Sequence, residues 1–208
     1  VMKELGPPPA PATLSIHLQP PPPFYKRAKA LFHAQALAAQ EHDDIRLHPG
    51  QDPLKLAFRL GHELSHWITY KQHPARPPLW LDEGLANIMG AAAAEAAARP
   101  LKQTVERPLP DKLPGHLYSL EALLHLDAYP RKPAQVGAFY WQAEALVGAL
   151  RQKLGREAFN DYLAAMSVPQ PPLWEAPLRE RWYFNDADFR WLAEHIRPAN
   201  RQPSTPPL

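Results

Sequence analysis

Three residues near the middle of the chain have the types and spacing to hold a metal ion and use it. His62, Glu63 and His66 spell H-E-x-x-H. On a helix, positions four apart fall on nearly the same face, one turn along. Two imidazoles placed this way can grip one ion. Glu63 then stands beside the open coordination position, where its carboxylate can take a proton from a water on the metal. The bland alternative is a solvated helix face carrying two unrelated histidines, and a third ligand is what separates the two.

Glu83 is the candidate for that third ligand. It follows His66 after sixteen intervening residues, at the start of the next predicted helix. Two antiparallel helices joined by a short turn would bring it back beside His62 and His66. An exposed glutamate favoured by the helix dipole is the competing explanation. Against it, Glu83 sits among Trp80, Leu81, Gly84, Leu85 and Ala86, a mostly apolar frame with Asp82 as its other acid. An unpaired carboxylate in such a frame is expensive. The chain contains no cysteine, so a metal here must be held by histidine and carboxylate.

The elements around these residues must position them. Asp52 followed by Pro53 is a helix start, an N-cap acceptor and then proline at the first helical position. The helix is predicted over 53–72, with Ala57, Leu60, Leu64, Trp67 and Ile68 as its buried stripe, and His73 before Pro74 ends it. The next helix opens at Leu79 and runs through Met89 into the alanine run that ends at Ala98. Gly84 within it costs about 1 kcal/mol relative to alanine. That choice makes sense where a neighbouring backbone, or the metal-bearing helix, comes close.

Upstream, Thr13–Leu18 alternates and reads as a strand, Phe24 to Gln40 carries a helical stripe, and Asp44–His48 reads as a second strand. Downstream the pattern predicts a loop from Arg99 to Gly115 and a short Ser119-capped helix to Leu126. An amphipathic helix over Val136–Leu154 follows, closed by Gly155. A helix over Arg156–Ser167, a proline-rich connector from Pro169 to Pro177 and a last helix over Asp186–Arg197 complete the chain. The expected class is α+β: a small N-terminal mixed β-sheet, then a mostly α-helical part with the metal site between two helices. Residues 1–12 are expected to be a flexible proline-rich start, 13–197 a single domain, and 198–208 a loose tail.

Composition narrows the function classes. The chain has 208 residues and a net charge of +2, enough length for one domain with a real core. No basic run or aromatic-plus-lysine stripe points to nucleic acid. No apolar stretch approaches the roughly 20 residues of a membrane span, and no signal peptide is visible. The start at Val1 and Met2 leaves room for a removed leader, and with it a secreted or periplasmic location. The 27 prolines, with no cysteine and 3 methionines, resemble thermophile composition.

The two motifs together, H-E-L-S-H at 62–66 and W-L-D-E-G-L-A at 80–86, resemble the gluzincin metallopeptidases, specifically the peptidase MA-like group. The resemblance spans about Thr13 to Met166. It implies a zincin-like fold, a Zn²⁺ held by His62, His66 and Glu83, Glu63 as general base, and a peptide or protein as substrate. It also implies two further roles. Tyr140, opening the Val136–Leu154 helix, matches the tyrosine that hydrogen-bonds the oxyanion, although a core aromatic beside Phe139 and Trp141 is an equal reading. Asn87 stands where many gluzincins have an acid that orients the first histidine, and an amide accepts from an imidazole N–H more weakly than a carboxylate. The strand Asp44–His48 would rim the cleft and could pair with an extended peptide; His48 there is either a cleft or a surface residue. The amine-holding glutamate segment of the clan's aminopeptidases has no counterpart, which favours an endopeptidase. The alternative is a non-proteolytic zinc-binding scaffold or interaction domain on the same fold, in which Glu63 would have no catalytic task.

Overall fold

The computed structural model describes residues 2–6, 13–18, 38–41, 43–47, 52–105 and 117–197. The expected C-terminal tail, the Arg99–Gly115 loop beyond residue 105, His48 and most of the predicted Phe24–Gln40 helix lie outside them.

Three short strands open the fold: β1 (Ser15–Leu18), β2 (Ala38–Glu41) and β3 (Asp44–Leu47). They form a mixed sheet in the order β1-β3-β2, with β1 parallel and β2 antiparallel to β3. Two expectations change here. Ala38–Glu41 is a strand, although its residues favour helix, because tight return into β3 lets its backbone pair with Asp44–Leu47. And β3 is the central strand, flanked on both sides, so its edges are not free to accept a peptide. Ile45 and Leu47 are buried on one face of β3 and pack against Leu56, Leu60 and Leu64.

Those three leucines lie on α2 (Pro53–Gln72), which has the predicted bounds. The Asp52 side chain accepts from the Leu54 N–H at 2.7 Å, the cap that starts it. On its other side, Trp67 and Ile68 enter the main core. After a short turn the chain returns as α3 (Leu79–Leu101), longer than expected and closed by Lys102 in the left-handed region, φ 53°. The two helices run antiparallel in close contact. A Cβ on Gly61 would lie 2.6 Å from the Ala93 Cβ and 2.8 Å from the Met89 carbonyl oxygen. Only a residue without a side chain permits that approach.

The remaining helices, α4 (Leu120–Leu124), α5 (Pro133–Leu154), α6 (Arg156–Met166), α7 (Glu175–Trp182) and α8 (Asp186–His195), buttress the pair. α5 starts at Pro133, three residues before the expected Val136, because proline suits the first helical position. It ends at Gly155, φ 77°. It crosses α3 at Gly84, where an added Cβ would sit 2.4 Å from the Ala143 carbonyl oxygen. The close neighbour anticipated at Gly84 is therefore α5, not the histidine-bearing helix. α7 occupies the end of the stretch expected to be a connector. Pro177 falls in its first turn, where the missing N–H has no helical partner to lose.

The N-terminus also differs from expectation. Met2–Leu5 form a short helical turn, α1. Leu5 is buried in the main core, its carbonyl accepts from Gln72 Nε2 at 2.9 Å, and Glu4 pairs with Arg151 at 2.8 Å. A buried apolar side chain with two polar ties holds this turn against α2 and α5, despite the prolines that follow. Among the described residues, no helix is long and apolar enough to cross a membrane.

Candidate metal centre

The α2–α3 pair brings His62, His66 and Glu83 together. One ligand atom from each lies within 4.8 Å of the others. The two imidazole Nε2 atoms are 3.2 Å apart, and His62 Nε2 is 3.3 Å from Glu83 Oε2. All three residues are buried, Glu83 with 2 % of its surface exposed.

The outer hydrogen bonds decide which atoms face inward. His66 Nδ1 lies 2.8 Å from Asp82 Oδ1, and a carboxylate only accepts, so Nδ1 carries the proton. His62 Nδ1 donates in the same way to Asn87 Oδ1 at 3.1 Å, while the Asn87 amide N–H donates to the Tyr140 carbonyl at 3.4 Å. Fixing both Nδ1 protons leaves both Nε2 atoms as lone pairs in the neutral rings. They point at each other and at a carboxylate. Glu83 Oε2 is buried with no hydrogen-bond partner among the described residues, and Oε1 accepts from the Tyr129 hydroxyl.

Such a convergence of lone pairs asks for a cation. A proton meets part of the need: burial pulls the His66 imidazolium down, but Asp82, by charge and hydrogen bond, with Glu83 and Glu63 adding to it, lifts its pKa to about 9. Burial would likewise raise Glu83, yet His62, His66 and the Tyr129 hydroxyl outweigh it and hold the carboxyl below its usual range. A metal ion fits the donor set better. Two ligands of one tetrahedral ion, each about 2.0–2.1 Å from it, lie roughly 3.3 Å apart. The 3.2 and 3.3 Å separations match that spacing, and His66 Nε2 to Glu83 Oε1 is longer, at 3.8 Å. Two imidazoles and a carboxylate, with no thiolate, make a donor set that a divalent cation can use.

Glu63 is buried beside this group, 9 % exposed. Burial pushes its carboxyl above the usual range, partly offset by His62 and His66, with Glu83 and Asp82 pushing the same way as burial. Asn87 is the residue that meets the Nδ1 of His62, at 3.1 Å. The structure brings Tyr140 to the centre by its backbone carbonyl, while its half-buried ring packs on Phe139, centroids 5.3 Å apart.

Three contributors went unseen in the sequence. Asp82, next to Glu83, holds the second histidine. Tyr70, one turn beyond His66, donates to the other oxygen of Asp82 at 2.5 Å. Tyr129, from the segment between α4 and α5, reaches Glu83 while remaining 42 % exposed. Asp82 carried a signal, since it is the other acid in an otherwise apolar frame. Tyr70 had the i+4 spacing from His66, but Tyr129 had no spacing to mark it. No protein-family model, curated protein or solved structure matches the chain, so the chemistry of this group carries the functional reading.

Proposed function

We propose that the chain is a zinc-dependent peptidase of gluzincin type with a zincin-like fold, and that it acts as an endopeptidase. The observation that carries this is the convergence of His62, His66 and Glu83 at ligand spacing, with Glu63 buried alongside. The mixed sheet ahead of α2 and the antiparallel α2–α3 pair are compatible with that fold. His62, His66 and Glu83 would hold Zn²⁺, with Asn87 and Asp82 fixing the imidazole tautomers. When bound, zinc supplies a Lewis acid that acidifies water and polarises a carbonyl.

The chain's own residues supply the proton transfer and the remaining polarity. Glu63 takes the proton of the attacking water and delivers it to the leaving amine. A carboxyl raised by burial is a stronger base than a surface glutamate and suits both halves of that task. Tyr129 stands exposed at the ligand carboxylate, and Tyr140 is the position indicated by the motif; one of these hydroxyls stabilises the oxyanion, a contribution of a few kcal/mol. A purely structural zinc scaffold would leave Glu63 as a buried carboxylate without a role.

The test is cleavage of casein or a peptide library by the zinc-loaded chain, beside Glu63→Gln. Internal cleavage products are expected, with turnover reduced about 10²–10⁴-fold by Glu63→Gln while zinc is retained. Cleavage unchanged in that variant would sink the mechanism. An intact library would sink the peptidase reading and leave the scaffold.

A further inference from the structure

Tyr70 has no role in the peptide chemistry proposed above, yet it is tied to the metal group more closely than any motif implies. It lies one turn after His66 on α2, and its ring stacks on the His66 imidazole, centroids 5.7 Å apart at 27°. Its hydroxyl donates to Asp82 Oδ2 at 2.5 Å, and Asp82 Oδ1 accepts from His66 Nδ1 at 2.8 Å. Both oxygens of one buried carboxylate are therefore occupied, one by the imidazole and one by the phenol. The far side of Tyr70 borders a cavity of about 290 Å³, lined also by Trp67, Lys71, His73 and Arg76. The Arg76 guanidinium carbon sits 4.4 Å from the ring centroid.

The geometry points to Tyr70 as a positioning residue for His66, acting through Asp82. This rests on the metal-centre reading above. A buried carboxylate with one unsatisfied oxygen is costly and turns about its own axis to seek a partner. The Tyr70 hydroxyl removes that freedom. It fixes the carboxylate plane, the carboxylate fixes the Nδ1–H direction, and the Nε2 lone pair is thereby aimed at the shared centre. The ring stacking holds the same imidazole from its face. Asn87 offers His62 a single neutral amide oxygen at 3.1 Å, its amide held by a longer bond to the Tyr140 carbonyl at 3.4 Å, so the second histidine is the more tightly braced of the two.

The test is a double-mutant cycle of Tyr70→Phe and Asp82→Asn, read as the Kd for zinc and as the visible spectrum of the cobalt-substituted chain. Outer hydrogen-bond partners of ligating histidines change metal affinity by about 10–100-fold. Tyr70→Phe is expected to weaken zinc about 10-fold and to shift the cobalt bands, with the far-ultraviolet dichroism unchanged. Because Tyr70 acts through Asp82, adding Tyr70→Phe to Asp82→Asn should cost little more, well short of the product of the two single effects. A Tyr70→Phe chain with wild-type zinc affinity and cobalt spectrum would overturn the inference, as would fully multiplicative losses. Failure of the wild-type chain to bind zinc or cobalt would instead overturn the metal centre itself, and this inference with it.

Discussion

Gly84→Ala should destabilise the protein although alanine is the better helix former. Two effects oppose each other. Relieving glycine within a helix is worth about 1 kcal/mol. Against that, the new Cβ would stand 2.4 Å from the Ala143 carbonyl oxygen and 2.6 Å from Val147 Cγ2. Carbon contacts settle near about 3.5–4.0 Å, so α3 and α5 must part by roughly 1 Å. Overpacking costs about 1–3 kcal/mol, and a backbone obstacle that cannot rotate away places this site at the upper end. The net loss is about 2 kcal/mol. Gly148→Ala on α5 is the matched control, because its added Cβ meets nothing within 4 Å among the described residues. It should gain up to about 1 kcal/mol. Urea unfolding followed by circular dichroism gives both values. In a thermal melt Gly84→Ala should fall by about 4–8 °C at this chain length. Zinc affinity should fall with it, since Glu83 is the adjacent residue. Gly84→Ala as stable as Gly148→Ala would refute the close crossing of α3 and α5.

Other outcomes follow from the outer hydrogen bonds. With His66 lifted to about 9, the free site holds a proton at neutral pH that metal must displace. Zinc Kd should therefore improve about tenfold per pH unit as pH rises and level off above about 9, as read by competition with a chelator; a flat profile through this range would contradict the His66–Asp82 pairing. The sign for the metal-free chain is the reverse. Stability from the raised His66 is fully present below about 6.5, its unfolded value, and is lost as pH rises through about 9. Asn87→Asp places a carboxylate on His62 Nδ1 and should tighten zinc by up to about 10-fold. It also removes the N–H donated to the Tyr140 carbonyl, at a cost of about 1 kcal/mol in urea unfolding. Weaker zinc binding in that variant would show that Asn87 does not orient His62.

The parts of the fold legible in the sequence are those governed by local chemistry. α2 has its predicted bounds because Asp52 and Pro53 start it and His73 before Pro74 ends it, all within one turn of the boundary. The grouping of His62, His66 and Glu83 is legible because an i, i+4 pair and a carboxylate in an apolar frame each have few structural explanations. What escaped depends on tertiary neighbours. Ala38–Glu41 favours helix locally and becomes strand only by pairing with β3. α1 owes its place to Leu5 reaching the core and to Glu4 meeting Arg151, a contact between distant parts of the chain. α7 was hidden by prolines that read as a connector, though Pro177 sits where a helix tolerates it. The motif directs attention to the position four residues after Glu83, whereas the carboxylate stands one residue before it, on the second histidine. Tyr129 arrives from an irregular segment, where no periodicity links it to Glu83.

The most direct measurement is zinc content per chain after dialysis against excess zinc and removal of loose metal, for the wild type and for His62→Ala, His66→Ala and Glu83→Ala. One zinc per wild-type chain, lost or greatly weakened in each variant whose fold is intact by circular dichroism, is the predicted result. A wild-type chain that holds no zinc, or variants that all keep it at full occupancy, would contradict the metal centre on which the functional account stands.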